Sequence, residues 1–285
     1  MCRLALVIGL SVCGTCFSAD YSAAARRGDR YFNAYILKAV SKLYASYRLM
    51  GYDIHSVLTH NIRYDGYGVI QATNPPLTMC VAAQMEVMLT AYQIYAAETG
   101  DSSVYDYLPI DSYEGLDRED LKGHIWVNSE FNSYGTADAL VNFGMGEHIP
   151  FEKLTPGAFV NINRVNGTGH AVAFLGYINK RGEMQKEYNS AVVGFKYFSS
   201  QGKKDAGLGG FDYRYAVFDS FGCPEMPGKR DCGVIYSKDQ KMLNTGVMLA
   251  PRNWRHPPAR SGPRLPPRST VLNEKFFNGL TTDDE

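Results

Sequence analysis

LTPGAFVNINRVNGTGHAVAFLGYI, residues 154–178, decides how this chain is built. FVNIN (159–163) and HAVAFLGYI (170–178) are apolar runs separated by turn residues, which reads as consecutive strands. AVVGFKYF (191–198) and YRYAVFDS (213–220) continue the pattern between Gly-, Asn- and Lys-rich turns. Upstream the period is helical. YFNAYILKAVSKLYASYRLMGYD (31–53) reads as a first helix, and NPPLTMCVAAQMEVMLTAYQIYAAETG (74–100) holds a second. Val81, Met85, Met88, Ile94 and Tyr95 give that second helix most of its apolar face, and Gly100 with Asp101 ends it. GTADALVNFGMG (135–146) is a short third helix, with Thr136 as cap and Gly144 as stop. NIRYDGYGVIQATNPP (61–76) reads as loop, and 101–134 as a polar, tyrosine-rich connection. Helices first and an antiparallel sheet afterwards is the α+β layout.

Lysine plus arginine and aspartate plus glutamate number 29 each, so charge gives no case for a nucleic-acid partner. The first residues are more specific. A short basic start and the apolar run LALVIGLSVCGTCF (4–17) read as a secretory signal peptide over 1–19. Val12 stands where a lipoprotein signal wants a small residue before Cys13, which weakens a lipid anchor. No later apolar stretch approaches membrane-spanning length, so an exported protein, periplasmic or secreted, is expected. Residues 20–250 then form one domain, and 251–285 a Pro- and Arg-rich tail expected to be extended or disordered.

Export makes the cysteines informative. Cys2, Cys13 and Cys16 leave with the signal, and three remain. Cys223 and Cys232 flank the turn-rich PEMPGKRD, and an oxidising compartment favours joining them. A loop that short adds ~2–3 kcal/mol of entropic stabilisation. Cys80 is left over. Free cysteine is among the most buried residue types, but a thiol in the first turn of a helix also meets oriented N–H groups that favour thiolate. A nucleophile needs a base, and His170 is the candidate: it follows VNGTG and opens the most apolar strand. His55, His60, His124, His148 and His256 form no ligand cluster with cysteines or carboxylates. No structural zinc site and no cofactor are expected.

The 154–178 segment resembles the surroundings of the catalytic histidine in NlpC/P60 and CHAP cysteine hydrolases. In those enzymes a Leu-x-Pro-Gly turn starts one strand and a Gly-His with alternating apolar residues starts the next. NPPLTMCVAAQ supplies the other half, a cysteine at a helix start, and cysteine before histidine is the order of papain-like enzymes. The resemblance covers about residues 70–220. It implies a papain-like fold, with N-terminal helices carrying the nucleophile packed on an antiparallel sheet carrying the histidine.

A hairpin between 170–178 and 191–199 would turn near 184–185 and return Phe198-Ser199-Ser200-Gln201 beside His170. FSSQG then resembles the papain segment whose asparagine orients the histidine. Ser199 takes that position, although papain relatives place Asn, Asp, His or Glu there. Ser200, Gln201 or a backbone carbonyl are alternatives, and Asp219 ranks lower because its strand runs away from the His170 end. Asn74, six residues before Cys80, matches the spacing of the papain oxyanion amide, and an ordinary Asn-Pro turn is the competing reading. The resemblance implies an exported cysteine amidohydrolase acting on peptidoglycan stem peptides. A papain-like protease or secreted effector acting on proteins, and a catalytically silent binding module, are the rivals.

Overall fold

The computed structural model describes residues 30–66, 68–105 and 134–255. The expected signal peptide, most of the tyrosine-rich connection with His124, and the tail from His256 onward lie outside them.

Helix α1 spans Asn33–Tyr47 and buries Ile36, Ala39, Val40 and Leu43, one face at helical spacing. The expected extension to Asp53 does not form. The N–H groups of Leu49 and Gly51 donate instead to the main-chain oxygens of Phe211 and Gly209. Sheet bonding therefore draws the chain out of the helix. Gly51 has φ 110, and a Cβ there would lie 2.3 Å from the Lys204 carbonyl oxygen, so only glycine fits this approach.

The segment read as loop at 61–76 contains a hairpin of β1 (Ile62–Tyr64) and β2 (Gly68–Ile70). Ile62, Tyr64 and Ile70 are buried in the helix-side core, which gives this short pair its support.

Helix α2 runs Cys80–Thr99 and ends as expected at Gly100, which adopts the left-handed conformation and donates to Ala96 O. Its environment differs from the expected one-sided face, because every residue from Cys80 to Tyr92 is buried. Packing on all sides makes this the central helix of the molecule. Three polar residues are buried with it, Gln84, Glu86 and Thr90. Glu86 accepts from the Thr59 N–H at 2.9 Å and from the Thr59 hydroxyl, and lies 3.0 Å from His60 Nδ1. Helix α3 is Thr136–Asn142, shorter than read. Gly135 holds the cap position, while the Thr136 N–H donates to Asn161 Oδ1 at 3.1 Å.

The sheet contains β3 (Gly146–His148), β4 (Phe159–Asn163), β5 (Gly169–Ile178), β6 (Met184–Gln185), β7 (Gly194–Gly202), β8 (Gly209–Phe218), β9 (Arg230–Val234) and β10 (Leu243–Met248). Its order is β3-β10-β4-β5-β7-β8-β9, with β6 beside β5. All pairs are antiparallel except β8 with β9. The fold is thus α+β with a large, mostly antiparallel sheet. β3, β6, β9 and β10 had no counterpart in the sequence reading.

The sheet curls on itself. Arg164 forms a bridge with Val234, and the Ile235 N–H donates to Asn163 O at 2.8 Å, so the end of β9 meets the end of β4. Alternation along the strands then makes two large cores, beside a small third cluster of Ile178, Val193, Val217 and Met226. Val172, Phe174, Phe195, Tyr197 and Phe218 fill the inside of the curl. Ala171, Ala173, Phe198 and Phe211 face α1 and α2. The Cys223–Cys232 disulfide is formed, with Cα atoms 5.6 Å apart, and ties the loop entering β9 to that strand. Among the described residues no helix is long and apolar enough to cross a membrane.

Candidate active site

Cys80 is the first residue of α2 and is fully buried. Burial pushes its thiol up to about 11. Hydrogen bonding to the Ala171 N–H, the positive charge of Arg164, and the N–H groups of Val81 and Cys80 itself all pull the other way. The helix terminus supplies the thiolate-favouring donors expected of it, and desolvation outweighs them.

One turn further along α2, Gln84 grips the same strand residue. Its Nε2 lies 3.3 Å from Ala171 O, 3.4 Å from Ser199 Oγ and 3.5 Å from Phe198 O. The β5–β7 pairing stops at Ala173 with Phe198, and the Gln84 amide lies at the opening beyond it. With its nitrogen facing two carbonyls, its oxygen is left buried without a hydrogen-bond partner among the described residues. Gln84 was not singled out in the sequence. A polar residue four positions after the cysteine, inside an apolar helix, was the available signal.

The FSSQ run divides its work three ways. Ser200 Oγ donates to Thr78 O at 2.8 Å and holds the chain entering α2. Ser199 Oγ donates to Ala171 O at 2.6 Å rather than to His170. Gln201 is the residue whose amide reaches His170 Nε2. The expected hairpin turn at 184–185 would have put Ser199 opposite the histidine. The observed register pairs Ala173 with Phe198, with an irregularity between Phe174 and Gly176, and carried onward it puts Gln201 there. A two-residue difference in register decides which side chain meets the ring.

His170 lies on the inner side of the curl, where its ring packs edge-on against Tyr197 at 5.8 Å. Around it is a buried polar cluster. Arg164 makes a two-pronged pair with Asp231, Nε to Oδ1 at 2.5 Å and Nη2 to Oδ2 at 2.7 Å, and donates to Thr168 Oγ1 at 2.7 Å. The Tyr197 hydroxyl accepts from the Gln201 amide nitrogen at 2.8 Å and donates to Asp231 Oδ2 at 3.2 Å. Arg214 donates to the Gln201 amide oxygen through Nη1 at 2.8 Å and Nε at 3.0 Å. Burial first, and then the charges of Arg164 and Arg214, hold the His170 pKa well below the ordinary histidine value. The fold therefore brings thiol and imidazole to neighbouring residues of one strand, Cys80 against Ala171 and His170 beside it. No hydrogen bond joins the two.

This buried neutral histidine makes a pH prediction. Its native pKa is depressed, so its stabilising contribution is present above the unfolded value of about 6.5 and is lost as pH falls below it. In that window the unfolded chain binds a proton that the native ring refuses, with a slope approaching about 1.4 kcal/mol per pH unit. Urea unfolding at pH 7.5, 6.5 and 5.5 should show the wild type losing stability faster than His170→Gln. Parallel losses would refute the assignment.

Asn74 stands apart from this arrangement. It is exposed, and its main-chain oxygen accepts from the Leu77 N–H at 3.0 Å in a turn, whereas Cys80 is fully buried. Asp219 is exposed beyond the far end of β8, away from Gln201 and His170. His60 with Glu86 and His148 with Asp138 (Nε2 to Oδ1, 2.6 Å) are single histidine–carboxylate pairs. Among the described residues no three groups are placed to hold a metal. Arg164, Tyr197, Arg214 and Asp231 were also missed, because nothing in their local sequence marks them as members of one cluster. Comparison with protein-family models, curated proteins and solved structures finds no match for this chain.

Proposed function

We propose that the chain is an exported, papain-like cysteine hydrolase of the NlpC/P60 and CHAP type that cleaves amide bonds through a Cys80 thioester, with peptidoglycan stem peptides as substrate. The observation that carries this reading is the common anchoring of its parts. Cys80 and Gln84 hold the N–H and C=O of Ala171, the residue after His170, while Ser199, Ser200 and Gln201 reach Ala171, Thr78 and His170 in turn. In the reaction, His170 takes the Cys80 proton and the thiolate attacks the amide carbonyl. N–H groups at the start of α2 face the developing oxyanion. The imidazolium then protonates the leaving amine, and water resolves the thioester. Gln201 replaces Ser199 as the residue that orients the ring.

A second reading, a catalytically silent papain-like binding module, is favoured by one observation: Cys80 and His170 are both buried and unbonded to each other. Purified peptidoglycan incubated with the protein, followed by mass spectrometry of the soluble fraction, separates the two. The hydrolase releases stem-peptide fragments. A folded wild type that releases none, and whose Cys80 reacts with iodoacetamide more slowly than a free thiol even with peptidoglycan present, is a binder. Cleavage of unfolded protein substrates without release of wall fragments would identify a protease instead.

A further inference from the structure

We propose that Arg214 is a positioning residue that decides which nitrogen of His170 carries the proton. The consequence for catalysis rests on the reading of His170 as the base; the tautomer does not. An arginine has donors only. Two of the Arg214 donors lie 2.8 and 3.0 Å from one atom of the Gln201 amide, and that atom must be the oxygen. The amide nitrogen is then the atom that faces His170 Nε2. A nitrogen that accepts cannot also hold a hydrogen along that line, so in the neutral ring the proton sits on Nδ1. Tyr197 is compatible with this polarity without deciding it, since its hydroxyl lies 2.8 Å from the amide nitrogen and 2.9 Å from the oxygen and can bond either. The charged groups facing the ring are Arg164 and Arg214, with Asp231 bound to Arg164, and the two guanidinium groups oppose formation of an imidazolium.

The outcome is a site in its resting state. With Nδ1 protonated and the Nε2 lone pair taken by Gln201, His170 has no nitrogen free to accept the thiol proton. If Arg214 releases Gln201, the amide can rotate and present its oxygen to Nε2. The ring proton then moves from Nδ1 to Nε2 through solvent, and Nδ1 gains the lone pair. Transfer from Cys80 breaks S–H, forms Nδ1–H, and leaves a thiolate beside an imidazolium whose Nε2–H is donated to Gln201. Arg214 thereby acts on the thiol only through Gln201 and His170, and no contact of Arg214 with substrate is needed.

Nitrogen-15 NMR of histidine-labelled protein tests this without any substrate. The wild type should show His170 neutral near pH 7 with the proton on Nδ1, assigned by comparison with His170→Gln. Arg214→Met should invert the tautomer towards Nε2–H, and Gln201→Met, which removes the donor itself, should do the same. The rate of Cys80 alkylation by iodoacetamide should rise in Arg214→Met, with its pH profile displaced to lower pH. A wild-type ring protonated on Nε2 overturns the proposal even if neither variant folds, and so does an unchanged tautomer in a folded Arg214→Met. Should the tautomer behave as expected while Cys80→Ala still hydrolyses substrate, the reading of Cys80 as nucleophile falls and the Arg214 assignment stands.

Discussion

Cys80→Ala is expected to reduce amide hydrolysis at least ~10⁴-fold, the scale on which removing a catalytic nucleophile acts. The folded structure should survive. Losing one buried sulfur atom from a small side chain costs about 1–2 kcal/mol, and the α2 start is held independently by Ser200 on Thr78 and by Gln84 on Ala171. Activity and thermal midpoint measured on the same preparation therefore separate loss of chemistry from loss of fold. The resting thiol makes the effect conditional on opening. With burial pushing its pKa up to about 11, the resting Cys80 is a thiol and not a thiolate at pH 7. Substrate must therefore bring water or its own dipoles to Cys80, or move His170, before attack. Ser199→Ala should be much milder, because Ser199 bonds the Ala171 carbonyl and not the ring. Equal losses in the two variants would mean that a perturbed strand, not the thiol, sets the activity. Full activity in Cys80→Ala would overturn the thioester mechanism and assign the hydrolysis to other groups of the protein.

How far the sequence could be read depended on the range of the forces involved. α2 was legible at both ends because its signals are local: prolines before it and Gly100 after it. β4 and β5 were legible because apolar runs bounded by turn residues need no partner to be recognised. The Cys223–Cys232 bond followed by elimination from the expectation of export to an oxidising compartment. Non-local effects were not legible. α1 ends at Tyr47 because the Phe211 and Gly209 carbonyls, far along the chain, draw off Leu49 and Gly51. β10 looks like an ordinary polar-apolar mixture, yet it lies between β3 and β4 with all six residues buried. The candidate site divides in the same way. Cys80 and His170 could be named from their neighbours in sequence, while the choice among Ser199, Ser200 and Gln201 depended on a strand register set by an irregularity in β5.

The second large effect concerns stability. Asp231→Ala should lower the unfolding free energy by about 3–5 kcal/mol, because it leaves the Arg164 guanidinium buried without its carboxylate. Both residues are only 8% exposed, so water cannot replace the lost partner without opening the structure. The damage should also spread. Arg164 sits where β9 closes onto β4, and it holds Thr168 in the turn directly before His170. Tyr197 would lose one of its acceptors at the same time. Since a domain is typically stable by only about 5–15 kcal/mol, the variant should unfold at much lower urea and lose rigidity around His170 first. The pair itself is a different matter. Two charges taken out of water together recover little net energy, so replacing both, as Arg164→Met with Asp231→Leu, should restore most of the stability. Urea unfolding of the wild type, the single variant and the double variant measures each step. A loss below about 1 kcal/mol in Asp231→Ala would show that the guanidinium is already solvated, and the dry polar cluster around His170 would have to be abandoned. Recovery in the double variant without recovery of His170's depressed pKa would assign the closure of the curl to packing and the tuning of the ring to the Arg164 charge.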